Sequence, residues 1–464
     1  MIQTFITHKG TNDLILFFAG WGMDTQPFAE LKHIGCDCCI CYDYTHLDFD
    51  TTPLLDYKNI EVYAWSFGVW AASFVLQKSN LPIRRAVAIN GTTYGIDREK
   101  GISPEIFQAT LNILDEANLN KFYRRMCHGS DMLNLFLEQR PTRDFTTLYN
   151  ELAAIGHAIA TNAHPHFHWD EAIIGIHDRI FPKENQTNAW QGDTAIQEID
   201  AGHYLHFRPI ILRNRLDKQV IRKCFEKAAA TYEEEGRIQS RIACRLNELI
   251  PDMPEKERKE ILEIGCGTGK LTRLLFHRFP QARFTVNDLS AEMKNHLSEL
   301  HLGNWEFWAG DAEKIDFERE YDLIVSASTI QWFTDLNGFL KRISGKLSND
   351  GNIAFSTFVA GNLPEIKSLS VSEMPYWESP ELKRMFEKYF EVDRFEEEEY
   401  QLRFDTPIDL LRHLKKTGVT GVSSQPRHRG FNFIKRYRET FGEKKEVTLT
   451  YRPVYIIAHK KSQI

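Results

Sequence analysis

The sequence predicts two α/β domains in one chain, and three observations favour this fold class. Residues 60–76 and residues 261–278 each read as a buried strand, a turn containing glycine and a helix-like segment. A strand that enters a helix through a short turn is the repeating unit of α/β proteins. At 464 residues the chain is too long for one ordinary core. We therefore expect one domain at residues 1–213 and a second at residues 214–464.

Composition excludes several classes of protein. Hydrophobic residues make up 42% and charged residues 26% of the chain, which is typical of a globular protein. The apolar runs are too short to cross a bilayer, and the first residues lack the charged and apolar regions of a signal peptide. The net charge of -7 argues against nucleic acid as the main partner. We expect a cytoplasmic protein that binds neither nucleic acid nor membrane.

Cysteine and histidine clusters do not have the spacing of metal sites. Four of the eight cysteines crowd into residues 36–41, but no second cysteine pair accompanies them. Three histidines alternate within residues 164–168, and no cysteine or acidic pattern stands beside them. We therefore expect reduced cysteines and no bound metal.

A candidate nucleophile lies in the first half of the chain. The strand-like residues 60–64 run into Trp65-Ser66-Phe67-Gly68, and an apolar helix follows at residues 69–76. A serine at such a sharp turn resembles the nucleophile elbow of the α/β-hydrolases. The usual G-x-S-x-G motif has alanine at its first position here, Ala64, which is small enough for the tight packing of this turn. On its own, Ser66 could equally be an ordinary turn serine.

The partners that such a serine needs follow in the order acid, then histidine. The strand-like residues 173–176 lead to Asp178, and His203 lies in a loop before a helix-like segment. Asp178 would fix the tautomer of His203, and His203 would take the proton from Ser66. The backbone N–H groups of Trp21 and Phe67 would bind the oxyanion. Two nearby loop residues remain alternatives, namely His206 for the base and Asp170 for the acid.

Helix-like segments fill residues 101–169, an insertion with the size and place of a hydrolase lid. This insertion carries the basic residues Arg124, Arg125, Arg140 and Arg143. These side chains are either solvated helix charges or an anion-binding rim for a phosphorylated, acidic partner.

The second half is organised around a glycine-rich turn. An apolar strand at residues 261–264 precedes Gly265, Gly267 and Gly269, and a helix-like segment, a second strand and Asp288 follow. This layout is typical of a nucleotide-binding βαβ unit, in which the acid holds the ribose hydroxyls. The residues between Glu263 and Gly269 read E-x-G-x-G-x-G, which differs from the pyrophosphate-binding G-x-G-x-x-G.

That spacing resembles motif I of the class I S-adenosylmethionine (SAM) methyltransferases, which have a Rossmann-like fold. Residues 321–326 and 351–355 read as the fourth and fifth strands, and one long helix at residues 217–249 would cover the SAM pocket. We expect residues 445–449 and 454–459 to form a hairpin. The resemblance implies that the following residues contact SAM: Tyr232, Glu263, Gly265, Gly267, Gly269, Asp288, Leu289, Asp311 and Ala312.

Longer motifs resemble two families of biotin synthesis. Residues 217–464 are similar to the malonyl-acyl-carrier-protein (malonyl-ACP) O-methyltransferases, most specifically at residues 328–332 and 355–365. Residues 1–210 are similar to the atypical pimeloyl-ACP methyl ester carboxylesterases, at residues 17–24, 42–44, 65–68 and 89–92. The resemblance implies that one enzyme caps the carboxylate of malonyl-ACP as a methyl ester and later removes the methyl group from pimeloyl-ACP methyl ester.

The resemblance also implies the partners and the acceptor residues. The partner is acyl carrier protein, SAM is the methyl donor, and Arg124, Arg125, Arg140 and Arg143 are candidates for binding the carrier. Gln331 and Trp332 would lie beside the methyl acceptor, although packing in the core is the other role open to Trp332. Two alternatives are a small-molecule carboxyl methyltransferase joined to a general esterase or thioesterase, and a chain in which one half only binds the carrier.

Overall fold

The computed structural model describes residues 1–253, 259–298, 304–367, 374–417 and 447–461. The chain divides into two compact units, Met1–Arg208 and Pro209–Ile464. The division lies slightly before the domain boundary that the sequence predicts, within a helix that spans Phe207–Asn214. Among the described residues, no helix combines the length and the apolar character needed to cross a membrane.

Unit 1 contains a seven-stranded sheet in the order β1-β3-β2-β4-β5-β6-β7. All its neighbouring strands are parallel except β1, which is antiparallel to β3. The strands are β1 (Ile2–Thr7), β2 (Asp13–Phe18), β3 (Asp37–Tyr42), β4 (Asn59–Trp65), β5 (Ile83–Ile89), β6 (Glu171–Gly175) and β7 (Ala195–Ile199). The central strands are buried on both faces, which explains their continuous apolar runs.

Helix α1 follows β4, and four helices lie between β5 and β6, where the sequence predicts a helical insertion. The helices are α1 (Phe67–Leu76), α2 (Pro104–Asn112), α3 (Glu116–Met126), α4 (Ser130–Glu138), α5 (Phe145–Thr161), α6 (Lys183–Ala189) and α7 (Phe207–Asn214). Short 3-10 helices span Gln26–His33 and Thr52–Leu54. None of the eight cysteines, all of which lie in described segments, forms a disulfide.

Unit 2 contains a second seven-stranded sheet, in the order β10-β9-β8-β11-β12-β16-β13. Strand β16 is antiparallel to both of its neighbours, and the other strands from β10 to β12 run parallel. The strands are β8 (Glu260–Ile264), β9 (Arg283–Asp288), β10 (Trp305–Ala309), β11 (Tyr321–Ala327), β12 (Leu347–Phe358), β13 (Phe390–Glu397) and β16 (Pro453–Lys460). A separate pair joins β14 (Tyr400–Phe404) to β15 (Val447–Tyr451).

The helices of unit 2 pack on this sheet. They are α8 (Lys218–Glu235), α9 (Arg237–Leu249), α10 (Lys270–Arg278), α11 (Met293–Ser298), α12 (Leu336–Ser344), α13 (Pro364–Lys367), α14 (Ser379–Tyr389) and α15 (Pro407–Lys416). A short 3-10 helix spans Ile330–Trp332. The helix predicted at residues 270–278 is confirmed.

Two predictions for unit 2 were wrong. The single helix expected at residues 217–249 is divided into α8 and α9 at Gly236, since glycine is a poor helix former. The expected hairpin does not form, because β15 pairs with β14 whereas β16 pairs with β12 and β13. Lys445 and Glu446, at the start of that prediction, lie outside the described residues. A period-two pattern identifies a strand but does not identify its partner.

Candidate active sites

Ser66 occupies a strained turn between β4 and α1. Its backbone has φ 61° and ψ -132°, a conformation that residues other than glycine rarely adopt. A Cβ atom on Gly68 would lie 2.4 Å from the carbonyl oxygens of Phe18 and Ala19, so only glycine fits there. The turn therefore holds Ser66 at the carboxyl end of the sheet, where the loops after parallel strands meet.

The structure brings Ser66, His203 and Asp178 together. His203 Nε2 lies 3.0 Å from Ser66 Oγ, and His203 Nδ1 lies 2.9 Å from Asp178 Oδ2. The side chains of His203 and Asp178 are fully buried. An imidazole between a carboxylate and a hydroxyl can take the hydroxyl proton while the carboxylate stabilises the resulting imidazolium.

Hydrogen bonds fix the orientation of Asp178. Its Oδ1 accepts the backbone N–H groups of Ile180 at 2.7 Å and Phe181 at 3.0 Å. Its Oδ2 accepts the side-chain amide of Gln186 at 3.1 Å in addition to His203. Four donors therefore hold this carboxylate in one orientation, with Oδ2 directed at His203.

The alternative residues occupy other places. Asp170 accepts the N–H of Ala86 at 2.7 Å and lies 3.5 Å from His168. His206 is exposed. The hydrogen-bonded arrangement thus contains Asp178 and His203, and neither alternative takes part in it.

Asn90 holds the histidine loop against the sheet, a role that sequence reasoning missed. Its Nδ2 donates to the carbonyls of Gly202 at 2.8 Å and His203 at 2.9 Å. Its Oδ1 accepts the N–H of Gly175 at 2.6 Å, at the end of β6. The indole of Trp65 donates to the same His203 carbonyl at 2.8 Å. Asn90 also has φ 45°, which asparagine tolerates better than most residues.

Trp21 and Phe67 lie in the same cavity as Ser66 and His203. Phe67 is the first residue of α1, so its backbone N–H has no acceptor within that helix. Trp21 follows β2, and its indole donates to the carbonyl of Leu148 at 2.9 Å. The two residues are therefore placed where their backbone N–H groups could face an oxygen bound at Ser66.

A buried ion pair holds the loop that contains Trp21. Glu151 accepts the N–H groups of Gly22 at 3.1 Å and Tyr44 at 3.0 Å, and Arg143 Nη1 lies 2.6 Å from its carboxylate. Burial raises the pKa of Glu151 to about 7, and the charge of Arg143 opposes that increase. Arg143 also lies 3.0 Å from Asp43.

Arg143 is therefore not part of an exposed basic rim. Its side chain is only 10% exposed and is paired with the buried Glu151 and the half-buried Asp43, so the expectation that it faces a carrier protein needs correction. Arg124, Arg125 and Arg140 are exposed. Arg125 lines the cavity beside Ser66, and its Nε donates to the carbonyl of Arg179 at 2.9 Å.

The cavity at Ser66 is mainly apolar; together with the solvent-open space at its mouth it encloses about 550 Å³. Its apolar lining comes from α2, α3 and α5 as well as from the sheet. The lining side chains include Ile102, Ile106, Phe107, Phe122, Leu152 and Ile180. An acyl chain attached near Ser66 would meet hydrocarbon in this cavity.

The glycine turn of unit 2 lies between β8 and α10. Gly265 has φ +70°, and a Cβ atom there would lie 2.2 Å from Thr329 Oγ1. A Cβ atom on Gly267 would meet no atom within 4 Å. Asp288, at the end of β9, accepts the N–H groups of Gly267 and Ser290, each at 2.9 Å. Burial raises the pKa of Asp288 to about 6.

A cavity opens beside this turn; together with the solvent-open space at its mouth it encloses about 1080 Å³. Most of the residues predicted to bind the cofactor or to face the acceptor line it: Tyr232, Glu263, Gly265, Gly267, Asp288, Leu289, Asp311, Ala312 and Trp332. Burial raises the pKa of Glu263 to about 8, and the charge of Asp288 acts in the same direction. Gly269 is absent from the lining and serves as the left-handed residue before α10.

Gln331 also lies outside the lining of this cavity. Its Nε2 donates to the carbonyl of Ser328 at 2.6 Å, and its Oε1 accepts the hydroxyl of Thr357 at 3.0 Å. Both ends of the amide are thus used within the protein, which indicates that Gln331 supports the loop before Trp332 rather than facing a ligand.

Two contacts beside the cavity were not predicted. Lys218 Nζ lies 3.3 Å from Asp311 Oδ1 and also contacts Glu313. Glu226 accepts the hydroxyl of Ser290 at 2.7 Å. Both contacts connect α8 to the loops after β9 and β10, so α8 is held over the cavity.

Comparison with known proteins gives two family matches. Residues 1–211 match the family described as "Pimeloyl-ACP methyl esterase BioG", and residues 261–351 match a methyltransferase domain family. A malonyl-[acyl-carrier protein] O-methyltransferase of Bacteroides fragilis is 41% identical over 459 residues, which cover 97% of this chain and 93% of that protein.

Two further matches each cover one half of the chain. The protein of the same name from Bacteroides thetaiotaomicron is 36% identical over 259 residues, covering 53% of this chain and 99% of that protein. The crystal structure of BioG from Haemophilus influenzae is 36% identical, with a TM-score of 0.41, and the match covers 44% of this chain and 94% of that chain.

Proposed function

Because the chain belongs to the malonyl-[acyl-carrier protein] O-methyltransferase family and carries an N-terminal BioG domain, we propose that it is a bifunctional enzyme of biotin synthesis. Unit 2 would methylate the free carboxylate of malonyl-ACP with SAM as donor. Unit 1 would hydrolyse pimeloyl-ACP methyl ester to pimeloyl-ACP and methanol. The observation that carries the second activity is the hydrogen-bonded arrangement of Ser66, His203 and Asp178.

The glycine-loop cavity fits SAM. The space beside Gly267 is open, and Asp288 can accept ribose hydroxyls beside the glycine turn. Phe225 and Trp332 have ring centroids 5.5 Å apart, and Tyr232 lies 6.5 Å from Phe225, so three aromatic rings cluster at one wall. Aromatic faces attract a cation, and the sulfonium of SAM is one. SAM would supply an electrophilic methyl group.

The residues of unit 2 then bind and align the reactants. Malonyl-ACP presents a carboxylate that is already ionised at neutral pH, so methyl transfer to its oxygen needs no general base. Alignment of the carboxylate oxygen, the methyl carbon and the sulfonium supplies most of the catalysis. Two buried polar atoms in the wall, Ser328 Oγ and Trp332 Nε1, have no protein partner among the described residues. We propose that they hold the acceptor carboxylate.

Unit 1 would act as an α/β-hydrolase, with helices α2 to α5 as its lid. Ser66 Oγ attacks the ester carbonyl while His203 takes the hydroxyl proton and Asp178 stabilises the imidazolium. The N–H groups of Trp21 and Phe67 bind the oxyanion. His203 then protonates the departing methoxide, and methanol leaves. Water activated by His203 hydrolyses the acyl-serine and frees the carboxylate.

The cavity at Ser66 explains how the two activities avoid cancelling each other. A pimeloyl chain carries four more methylenes than a malonyl group, and each buried methylene contributes about 0.8 kcal/mol. The apolar lining from Ile102, Phe107 and Leu152 could therefore favour pimeloyl by about 3 kcal/mol. The carrier protein would lie against the exposed Arg124, Arg125 and Arg140, with Arg125 beside the entrance to the cavity.

Mass spectrometry of carrier-protein substrates tests this proposal. Purified chain is incubated with malonyl-ACP plus SAM, or with pimeloyl-ACP methyl ester alone, and each reaction is repeated with Ser66→Ala. We expect the malonyl substrate to gain one methylene in mass with both proteins. The pimeloyl ester should lose one methylene only with the unchanged chain. No change in either substrate, together with turnover of free acids and esters, would instead indicate a small-molecule methyltransferase and a general esterase.

A further inference from the structure

Three potential metal ligands meet on unit 1 outside the sites described above. His128 follows α3, His177 follows β6, and Asp200 follows β7. One ligand atom from each residue lies within 4.8 Å of the other two. The His128 and His177 rings stack with centroids 4.1 Å apart and planes 10° apart, and His177 Nε2 lies 2.8 Å from Asp200 Oδ1. Both histidines are exposed and Asp200 is half-buried, so an ion can reach the group from solvent.

Hydrogen bonds and close packing join the backbone segments that carry His128, His177 and Asp200. The N–H of His177 donates to the carbonyl of Ala201 at 3.0 Å, and the N–H of Tyr204 donates to the carbonyl of Met126 at 3.0 Å. A Cβ atom on Gly202 would lie only 2.8 Å from the Cβ of His128. Three separate segments are thus packed closely enough to present their side chains to one point.

We propose that His128, His177 and Asp200 bind a divalent transition-metal ion, with Zn²⁺ the best match. Two imidazole nitrogens and one carboxylate oxygen form the protein ligand set of open zinc sites, and a water molecule completes the tetrahedron. Bonds of about 2.0–2.1 Å place tetrahedral ligands roughly 3.4 Å apart. To reach that geometry the ligand atoms, which lie within 4.8 Å of one another, must rotate about their side-chain bonds, and the 2.8 Å pair of His177 and Asp200 must separate. Zn²⁺ then replaces the contact between His177 and Asp200 with two metal–ligand bonds.

The site lies on the two loops that carry Asp178 and His203. His177 precedes Asp178 directly, and Asp200 lies three residues before His203 in the same loop. A bound ion therefore ties the acid loop to the histidine loop. The sequence predicts no metal because these three ligands are far apart along the chain and match no ligand motif.

Metal titration of the full chain tests the proposal. The protein is freed of metal with a chelator and titrated with Zn²⁺ by calorimetry, and with Co²⁺ by visible absorption, because tetrahedral Co²⁺ absorbs strongly. We expect one equivalent to bind, and we expect His128→Ala, His177→Ala and Asp200→Asn each to weaken binding at least about tenfold. Binding should also slow amide hydrogen exchange in residues 199–206 of the unchanged chain but not of His128→Ala.

Two control variants make the result specific. His459 Nδ1 lies 2.9 Å from Asp393, an exposed histidine–acid pair that belongs to no three-ligand group among the described residues, so His459→Ala should bind Zn²⁺ normally. His168→Ala removes one of the alternating histidines and should also bind normally. Equal affinity in the unchanged chain and in both His128→Ala and His177→Ala would overturn the proposal, as would loss of binding in His168→Ala alone. None of these outcomes depends on either proposed activity.

Discussion

The cavity at Ser66 and the glycine-loop cavity of unit 2 differ in the hydrogen-bond partners of their polar side chains. At Ser66 the polar side chains bond to one another, since His203 contacts both Ser66 and Asp178, and Asp178 accepts four donors. The glycine-loop cavity is the larger of the two. Among the described residues, Ser328 Oγ and Trp332 Nε1 in its wall have no protein partner. In the proposed function, the reactive groups of the first cavity therefore belong to the protein, whereas those of the second belong to the bound ligands.

The largest expected effects come from two substitutions, one in each cavity. Each should remove one activity and leave the other unchanged. Ser66→Ala removes the attacking atom, and we expect the rate of ester hydrolysis to fall by about 10⁴-fold or more while methyl transfer is unchanged. Gly265→Val should abolish methyl transfer and leave hydrolysis intact, because its side chain would collide with Thr329 at a positive φ. Both rates are measured on both variants with carrier-protein substrates. If Gly265→Val still transfers methyl groups, the second cavity does not depend on the space that the glycine turn leaves for its ligand.

A smaller effect is expected at Asn90, which touches no reacting atom in our mechanism. Asn90→Ala removes the partner of the Gly175 N–H and of the Gly202 carbonyl, while the His203 carbonyl keeps the indole of Trp65. One buried unsatisfied group costs about 1–3 kcal/mol. We expect kcat for hydrolysis to fall roughly 10- to 100-fold with KM little changed. Asn59→Ala is the matched control, since the Asn59 side chain donates to Asp13 at the start of β4, the end away from Ser66. Equal losses in both variants would show a general effect on folding.

The sequence predicted Ser66, Asp178 and His203 but not the roles of Asn90 and Glu151. The two groups differ in the kind of contact that they make. Ser66, Asp178 and His203 follow one another in the chain order that the resemblance requires, so the sequence could predict that these three side chains meet. Asn90 and Glu151 act on backbone groups 85 and 129 residues away, Gly175 and Gly22, and no local pattern records such contacts. Their positions became visible only when the parallel strands were placed side by side.

The same limit applies to unit 2. The glycine turn and Asp288 are adjacent in one βαβ unit, so their spacing predicts their meeting. The hairpin expected at residues 445–459 failed because strand partners depend on the whole sheet. Gln331 was expected beside the acceptor, and the structure instead binds both ends of its amide within the protein. Proximity in sequence to Trp332 did not determine where its side chain points.

Glu151 offers a way to sharpen the comparison, since it accepts the N–H of Gly22, next to Trp21, whose own N–H we propose as an oxyanion donor. Glu151→Gln leaves one acceptor oxygen for the N–H groups of Gly22 and Tyr44 and leaves Arg143 without its buried counter-charge. We expect kcat for hydrolysis to fall about tenfold, because an oxyanion donor out of place weakens transition-state binding. Methyl transfer should not change.

The double variant Arg143→Met, Glu151→Leu separates positioning from stability. Replacing a buried ion pair with apolar side chains of similar size is often neutral for stability. We expect hydrolysis to remain slow. We expect the loss of melting temperature to come from the buried N–H groups of Gly22 and Tyr44, which lose their acceptor, and not from an unpaired charge. If the double variant recovers full kcat, the ion pair has only a structural role.

The smallest expected effect concerns Asp288 and pH. Burial raises its pKa to about 6, so its carboxylate becomes protonated at pH values where an ordinary aspartate stays ionised. The protonated group is a poorer acceptor for ribose hydroxyls and no longer attracts a cation, so SAM should bind more weakly as pH falls through 6. One pH unit below the pKa, the ionised fraction of Asp288 is about tenfold lower than at pH values well above the pKa. At that pH, the affinity for SAM can therefore fall by at most about tenfold through this group.

Calorimetric titration with SAM across this pH range, on the unchanged chain and on Asp288→Asn, measures the effect. The variant should bind SAM more weakly at every pH and lack the step near pH 6. Without SAM the trend in stability is opposite, because a pKa raised by folding favours the folded state below the unfolded value of 3.8 and loses that contribution as pH rises through about 6. An unchanged step in Asp288→Asn would assign the titration to another group, Glu263 first, since its pKa is also raised. The pH dependence of SAM binding in the glycine-loop cavity would then come from a different buried acid.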